Sequence, residues 1–160
     1  MTSREFDPSW CSFAPRLSPA TCEAHSDPTE DYNCLAFAAN DQGRWWEPYV
    51  VPPTIPGVYW PTAVEPDNTV SAWSAALATV GFAPCADDSC DPALVKVALF
   101  AIGETATHAA RQLLDGRWVS KLGDEADVIH TRASDVAAAN VDASSPGASR
   151  TTTDSPVESE

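Results

Sequence analysis

The sequence predicts a small α+β domain in which a short cysteine-bearing helix packs on a small antiparallel sheet. A run of helix formers at 33–40, NCLAFAAN, predicts the helix, and a nine-residue apolar run at 94–102, LVKVALFAI, predicts a buried strand. An Asp-Gly pair at 115–116, between two strand-like segments, predicts a hairpin beside that strand. With 160 residues and 44% apolar content, the chain is long enough to build one hydrophobic core.

The two ends of the chain differ in composition from the segment between them. Residues 1–30 are rich in Pro, Ser, Asp and Glu, so we expect an irregular, loosely packed arm. Residues 133–160 consist almost entirely of Ala, Ser, Thr, Asp, Val and Pro, and we expect a disordered acidic tail there. The α+β domain then occupies residues 31–132.

Two helices precede the predicted sheet. The first begins near Cys34, with Asp31 or Asn33 as its N-cap. Six prolines between residues 45 and 66 exclude a helix or a central strand there, so we expect an ordered loop. Apolar spacing then predicts a second helix over 70–80.

The sheet is predicted around the segment 94–102. This segment is β-branched and almost continuously apolar, as in a strand buried on both faces, so we place it at the centre. The hairpin after it admits two loops. A three-residue loop with Gly116 left-handed puts Ser120 on the face of His108, whereas a two-residue turn puts Lys121 there.

The charge of the chain excludes several classes of partner. The formal net charge is −14, from 23 acidic and 9 basic residues, and such a charge repels nucleic acid and anionic membranes. No apolar run is long enough to span a membrane, and the start, MTSREFDPSW, has no signal-peptide core. We expect a cytoplasmic protein without a cofactor, with leaderless export as the alternative.

Five cysteines are present, and this odd number leaves at least one thiol unpaired in any disulfide scheme. A cytosolic setting favours free thiols, whereas an oxidising one would allow a Cys85–Cys90 or a Cys11–Cys22 disulfide. Cys85 and Cys90 also have the spacing of two metal ligands, but no second close Cys/His pair accompanies them. We therefore expect no metal site.

Cys34 is the candidate nucleophile. A cysteine in the first turn of a helix lies where unpaired backbone N–H groups favour a thiolate. The same N–H groups, with a side chain just upstream such as Asn33, can hold an oxyanion when a carbonyl is attacked. The alternative is that Cys34 is a small buried apolar residue, as most free cysteines are.

His108 is the candidate base, because a thiol needs a neighbouring imidazole to form an ion pair. His25 lies in the irregular arm and His130 lies past the hairpin, so both are weaker candidates. We expect Ser120 to orient the imidazole if the hairpin has the three-residue loop, with Asp127 as a substitute. The alternative for His108 is a sheet-facing histidine without a role.

The aromatic residues around the proline-rich loop are candidates for substrate binding. Trp45 and Trp46 follow the first helix directly, and Trp60 lies farther along the loop. Aromatic side chains held by a scaffold often line functional pockets, although aromatic residues in a loop more often form the core of that loop.

Three segments, DYNCLAFAA, THAARQLLDGRWVSKLG and DVIH, resemble a family of small uncharacterised bacterial and fungal domains over roughly residues 30–130. The arrangement is also remotely similar to the NlpC-type and CHAP-type papain-like peptidases and amidases. That resemblance implies a papain-like core, a Cys–His pair and a polar residue about twelve positions after the histidine. Ser120 stands at that position, where those enzymes usually have His, Asn, Gln or Glu.

Two functional hypotheses follow from these residues. The first is a cysteine-dependent hydrolase or acyltransferase that acts on an amide, ester or isopeptide bond of a peptide or small amide, with Cys34 and His108 as the reacting pair. The second is a papain-like binding module without catalysis, in which the Trp-rich loop recognises a peptide or a small ligand.

Overall fold

The computed structural model describes residues 6–12, 14–48, 58–85, 93–122, 126–136 and 148–156. Within these ranges the fold is mixed α+β, with a mostly antiparallel sheet and few helices. In chain order the elements are β1 (Cys22–Ala24), α1 (Cys34–Ala38), β2 (Trp45–Trp46), β3 (Val58–Tyr59), α2 (Val70–Ala78), β4 (Ala83–Pro84), β5 (Leu94–Ile102), β6 (Thr105–Gln112), β7 (Trp118–Lys121), β8 (Asp127–His130) and β9 (Ala148–Pro156). Two short 3-10 helices, Pro8–Ser12 and Ala133–Val136, complete them.

The main sheet has the strand order β1-β8-β7-β6-β5-β9-β4 among the described residues, and its neighbouring strands are antiparallel. Strands β2 and β3 form a separate parallel pair. The predicted buried strand is confirmed, because β5 spans Leu94–Ile102 and its residues from Lys96 to Ala101 are buried. Strand β5 lies inside the sheet, between β6 and β9.

The hairpin between β6 and β7 has the three-residue loop. The Leu113 N–H donates to the Arg117 carbonyl at 2.7 Å, so residues 114–116 form the loop, and Gly116 has φ 91°. A positive φ is costly for any residue with a Cβ, which explains a glycine at this position. Strands β6 and β7 then pair only at Arg111 with Val119 and at Gln112 with Trp118.

The sheet carries a core on each face, because successive side chains of a strand point to opposite sides. Helices α1 and α2 cover one face, and we call this apolar cluster the helix-side core; its main members are Leu35, Phe37, Trp73, Leu77, Val97, Leu99, Ala109 and Val119. The N-terminal residues and the 3-10 helix Ala133–Val136 cover the other face. We call that cluster the arm-side core; it contains Trp10, Leu17, Ala98, Phe100, Ala110, Trp118, Leu122 and Val128.

Side-chain caps fix the start of both α-helices. The Asn33 side chain accepts from the Ala36 N–H, and the Thr69 side chain accepts from the Ala72 N–H, each at 3.1 Å. Asn33, and not Asp31, is therefore the N-cap of α1. Helix α2 has nine residues, and no helix among the described residues is long and apolar enough to cross a membrane.

The structure differs from the sequence-based expectation at both ends of the chain. The arm is not loosely packed, because Trp10, Ala14 and Leu17 are each at most 4% exposed and strand β1 pairs with β8. Beyond residue 133, where we predicted a disordered tail, the chain forms a 3-10 helix and strand β9. Residues 137–147 and 157–160 of the predicted tail lie outside the described residues.

Candidate functional site

A pocket of about 370 Å³ lies at the end of the sheet where β6 begins and β7 ends. It brings together four residues that the sequence analysis selected: Asn33, Cys34, Trp45 and His108. A volume of this size is at the lower end of the range for small-molecule sites.

Cys34 is the first residue of α1 and reaches the pocket from the helix side of the sheet. Its side chain is partly exposed at the pocket but otherwise enclosed by protein, and this desolvation raises the pKa of the thiol. Hydrogen bonds from the backbone N–H groups of Ala109 and Leu35 oppose that shift, and the charge of Glu47 adds to it. The net direction is upward, so burial favours the neutral thiol.

His108 lines the same pocket from the opposite face of β6. It pairs with Phe100 of the arm-side core, and the two rings are in contact, with centroids 5.8 Å apart. The register of β6 shifts here, because Phe100 pairs with His108 and Ala101 pairs with Ala106, which leaves Thr107 as the extra residue of a bulge. Bulges of this kind often re-aim a side chain beside a functional site.

His108 is partly exposed at the pocket, but one nitrogen of its imidazole is buried and lacks a hydrogen-bond partner within the described residues. Its Nε2 is buried and contacts no donor or acceptor among the described residues. Burial, with a smaller contribution from the nearby His130, lowers the pKa of His108 to about 3. A neutral imidazole and a neutral thiol that line the same pocket are therefore the favoured resting state, in place of the ion pair that the sequence pattern predicts.

The side chain of Asn33 lies at the pocket, but its amide is already engaged. Its Oδ1 accepts from the N–H groups of Ala36 and Trp46, and its Nδ2 donates to the Trp46 carbonyl at 2.8 Å. Asn33 thus ties the start of α1 to strand β2. The same contacts leave its amide N–H poorly placed to hold an oxyanion.

Ser120 and Asp127 are engaged away from His108. Ser120 lies on the face of His108, as the three-residue loop requires, but its Oγ is 2.8 Å from Nε2 of His130. The Nδ1 of His130 lies 2.7 Å from the Arg132 carbonyl, which can only accept, so Nδ1 carries the proton and Ser120 donates to Nε2. Asp127 accepts from the Tyr32 hydroxyl at 2.7 Å, and its other oxygen, Oδ1, is buried without a partner within the described residues.

The three candidate tryptophans have different positions. Trp45 lines the pocket, and its indole N–H donates to the Glu30 carbonyl. Trp46 is buried and donates to Asp41. Trp60 donates to the Val64 carbonyl within the proline-rich segment and is not part of the pocket wall.

The pocket also contains residues that the sequence analysis did not assign to it. Glu47, Asn68 and Trp73 line it, and so does Lys121, which the sequence analysis considered only for a two-residue turn. The apolar periodicity of α2 predicts Trp73 as a core residue. Nothing in the local sequence indicates that this side chain also borders a cavity. Glu47 comes directly after the Trp45-Trp46 pair, which is the one local signal for its position.

Cys11, Cys22 and Cys34 have free thiols in the structure. Cys90 lies outside the described residues, and so does the predicted Cys85–Cys90 pairing. Burial, with the nearby Asp135 and Cys11, raises the pKa of Cys22 to about 12. No group of three His, Cys, Asp or Glu side chains suited to a metal ion occurs within the described ranges.

Comparison with known proteins identifies a family but no activity. No curated protein matches the chain, and no solved structure matches it. A family described as Domain of unknown function (DUF7689) matches residues 23–143, which include α1, strands β5 to β8 and all the residues named above in the pocket wall. This agrees with the resemblance to a family of uncharacterised domains. The chain therefore belongs to the DUF7689 family, a domain of unknown function.

Proposed function

We propose that this protein is a cysteine-dependent hydrolase or acyltransferase acting on an amide, ester or isopeptide bond through Cys34 and His108. The observation that carries the proposal is that the thiol and the imidazole line one pocket, although they come from opposite faces of the sheet and are 74 residues apart in sequence. A helix-borne cysteine packed on an antiparallel sheet also fits a papain-like arrangement.

The chemistry starts from a neutral thiol and a neutral imidazole. The thiol proton moves to His108 as Sγ attacks the carbonyl carbon of the substrate, and the carbonyl oxygen takes up the negative charge. The N–H groups of Ala109 and Leu35, which donate to Sγ, stabilise the thiolate character of the sulfur while its proton leaves. The carbon–nitrogen or carbon–oxygen bond then breaks, and the leaving group takes the proton from the imidazolium. Water hydrolyses the resulting thioester, or an amine or alcohol takes the acyl group, and the thiol is regenerated.

The shifted pKa values of Cys34 and His108 make the thiolate–imidazolium pair costly to form. Because the pKa of Cys34 is raised and that of His108 is about 3, the ion pair is unfavourable before substrate binds. Proton transfer is therefore coupled to attack on the carbonyl in this proposal. A hydrogen-bond acceptor brought by the substrate to Nε2 of His108 would make the imidazolium less costly, because that nitrogen carries a proton in the imidazolium and has no partner within the described residues.

The test uses a simple ester that transfers an acetyl group. We expect p-nitrophenyl acetate at pH 8 to acetylate Cys34 faster than Cys11 or Cys22, as read by peptide mass spectrometry. His108→Gln should slow acetylation of Cys34 by at least roughly tenfold, since general base catalysis contributes about 10²-fold or more. Cys22 is the internal control, because its pKa of about 12 keeps it protonated at this pH.

Two results would contradict the proposal. One is Cys34 that is acetylated no faster than Cys11, and the other is a rate that stays the same in His108→Gln. A folded-state spectrum of His108→Gln that matches the wild type is needed before the second result is interpreted.

A second candidate function is a ligand-binding module that uses this pocket without covalent chemistry. Two observations favour it. The raised pKa of Cys34 keeps the thiol neutral, and no hydrogen bond links this thiol to the buried Nε2 of His108 within the described residues. In that case an unreactive Cys34 would be accompanied by ligand binding that Cys34→Ala leaves unchanged.

A further inference from the structure

The pocket has one acidic and one basic side chain in its wall besides Cys34 and His108. Glu47 is the acidic residue and Lys121 is the basic one among the residues that line it. Glu47 is partly exposed, whereas Lys121 is fully buried at 0% exposure. Charges of opposite sign on one small pocket are matched best by a ligand that carries both charges.

Lys121 is the basic side chain in the wall of this pocket, in an otherwise acidic protein. It is the last residue of β7, it lies opposite Asp127 on β8, and its Nζ is 5.4 Å from the centre of the Tyr32 ring. Solvent screens a buried charge much less than an exposed one. With a net charge of −14, the protein needs a local cation of this kind to hold an anionic group.

Glu47 supplies the opposite charge, and its field reaches the reacting sulfur, because it contributes to the raised pKa of Cys34. Both Glu47 and Lys121 have further interactions within the protein, so a ligand would add its contacts to those already present. The two charged side chains thus line the same pocket as the thiol.

The remaining wall is largely apolar and aromatic. The indole N–H of Trp45 donates to the Glu30 carbonyl, and that of Trp73 donates to Asn68 Oδ1 at 3.0 Å. Both indoles therefore offer ring carbon atoms to the pocket. Such surfaces fit the aliphatic body of a ligand and exclude water around its polar ends.

We propose that the Cys34 pocket binds an amphoteric amide of dipeptide size, with its carboxylate toward Lys121, its ammonium group toward Glu47 and its amide bond at Cys34. The volume of about 370 Å³ suits a ligand of this size. Only the position of the amide at Cys34 rests on the proposed function, since the two charge contacts hold for a binding module as well. Cleavage would consume one water and release two amino acids.

The test measures binding to the full chain carrying Cys34→Ser by isothermal titration calorimetry. The probes are alanylalanine, which has both charges, N-acetyl-alanylalanine, which lacks the ammonium group, and alanylalanine amide, which lacks the carboxylate. We expect each loss of charge to weaken binding by roughly tenfold or more, as for a charge-assisted contact.

Protein variants identify which side chain meets which charge. In Glu47→Gln, N-acetylation should cost no further affinity, and in Lys121→Met, amidation should cost none, because the partner charge is already absent. If the buried Lys121→Met variant does not fold, the affinities of the three probes for the protein that retains both Glu47 and Lys121 still decide the test. Equal binding of all three probes, or binding of none, would overturn the inference.

The outcomes separate this inference from the proposed function. Selective binding of alanylalanine together with an unreactive Cys34 in the acetylation experiment would support the ligand class and refute the hydrolase. Acetylation of Cys34 without any charge selectivity would support the hydrolase and refute the ligand class.

Discussion

His130 and His108 are both held on the arm side of the sheet, but their ring nitrogens have opposite surroundings. His130 is 1% exposed, and both nitrogens have partners, Ser120 at Nε2 and the Arg132 carbonyl at Nδ1. His108 borders a pocket, and its buried Nε2 has no partner within the described residues. The first arrangement is what a structural histidine requires, whereas the second leaves a buried polar atom without the partner that such atoms normally have. The comparison therefore gives His130 a structural role and leaves His108 as the histidine on which the proposed chemistry depends.

The largest expected effect is a loss of stability when the packing around His130 is removed. Trp118 is 3% exposed, belongs to the arm-side core and lies opposite His130 in the β7–β8 pair. We expect Trp118→Ala to lower the free energy of unfolding by about 3–5 kcal/mol in urea titrations followed by circular dichroism. Trp45→Ala is the matched control, because Trp45 is partly exposed at the pocket. Equal costs for the two variants would show that the arm-side core is not a main source of stability.

A smaller loss is expected from Ser120→Ala, which removes the donor to His130 Nε2 and leaves a buried acceptor without a partner. The free energy of unfolding should fall by about 1–3 kcal/mol in the same titration. Acetylation of Cys34 should keep its wild-type rate in the folded variant. A slower rate without a loss of stability would mean that Ser120 serves His108 instead of His130.

The pH dependence of stability should differ between wild type and His108→Leu. The folded-state pKa of His108, about 3, is below its unfolded value of 6.5, so the unfolded chain binds the extra proton first as the pH falls. His108 therefore lowers wild-type stability progressively below pH 6.5 and down to about 3, by up to about 1.4 kcal/mol per pH unit. Urea titrations at a series of pH values should show a shallower decline in His108→Leu. The lowered pKa of His130 acts in both proteins, so parallel curves would contradict the burial of His108.

The smallest effect is expected from the same His108→Leu variant at pH 7. Leucine removes a buried nitrogen without a partner from a site beside Phe100, so stability should stay within about 1 kcal/mol of wild type or rise. Thermal unfolding checks this, with Thr107→Ala as an exposed neighbouring control. A loss as large as that of Ser120→Ala would place His108 with the structural residues.

The sequence predicted those elements whose signals are local. The β5 strand follows from a few adjacent residues, and the structure has it. For the cap of α1 and for the hairpin loop the local sequence allowed two alternatives each, and the structure has Asn33 as the cap and the three-residue loop with Gly116 at positive φ. The strands β1 and β9 were not predicted, because β1 has three residues and β9 is polar in sequence, so neither carries a strong apolar alternation. Strand pairing of this kind depends on the distant partner.

The candidate site was predictable only in part for the same reason. Cys34 and His108 could be selected because few residue types act as nucleophile or base. The partner of Ser120 depends on β8 lying beside β7, which places His130 closer to it than His108, and strand order cannot be read from residue spacing. Glu47 and Lys121 line the same pocket although they are far apart in sequence, and neither local segment contains a signal for this.

Strand β9 has a consequence for how fragments of this protein would behave. The family match ends at residue 143, whereas β9 begins at Ala148 and pairs with all nine residues of β5. A chain cut at the family boundary would therefore expose one main-chain edge of an apolar strand that is otherwise internal. Such an edge is a template for strand addition between molecules, so the family segment prepared alone would be prone to self-association that the longer chain avoids.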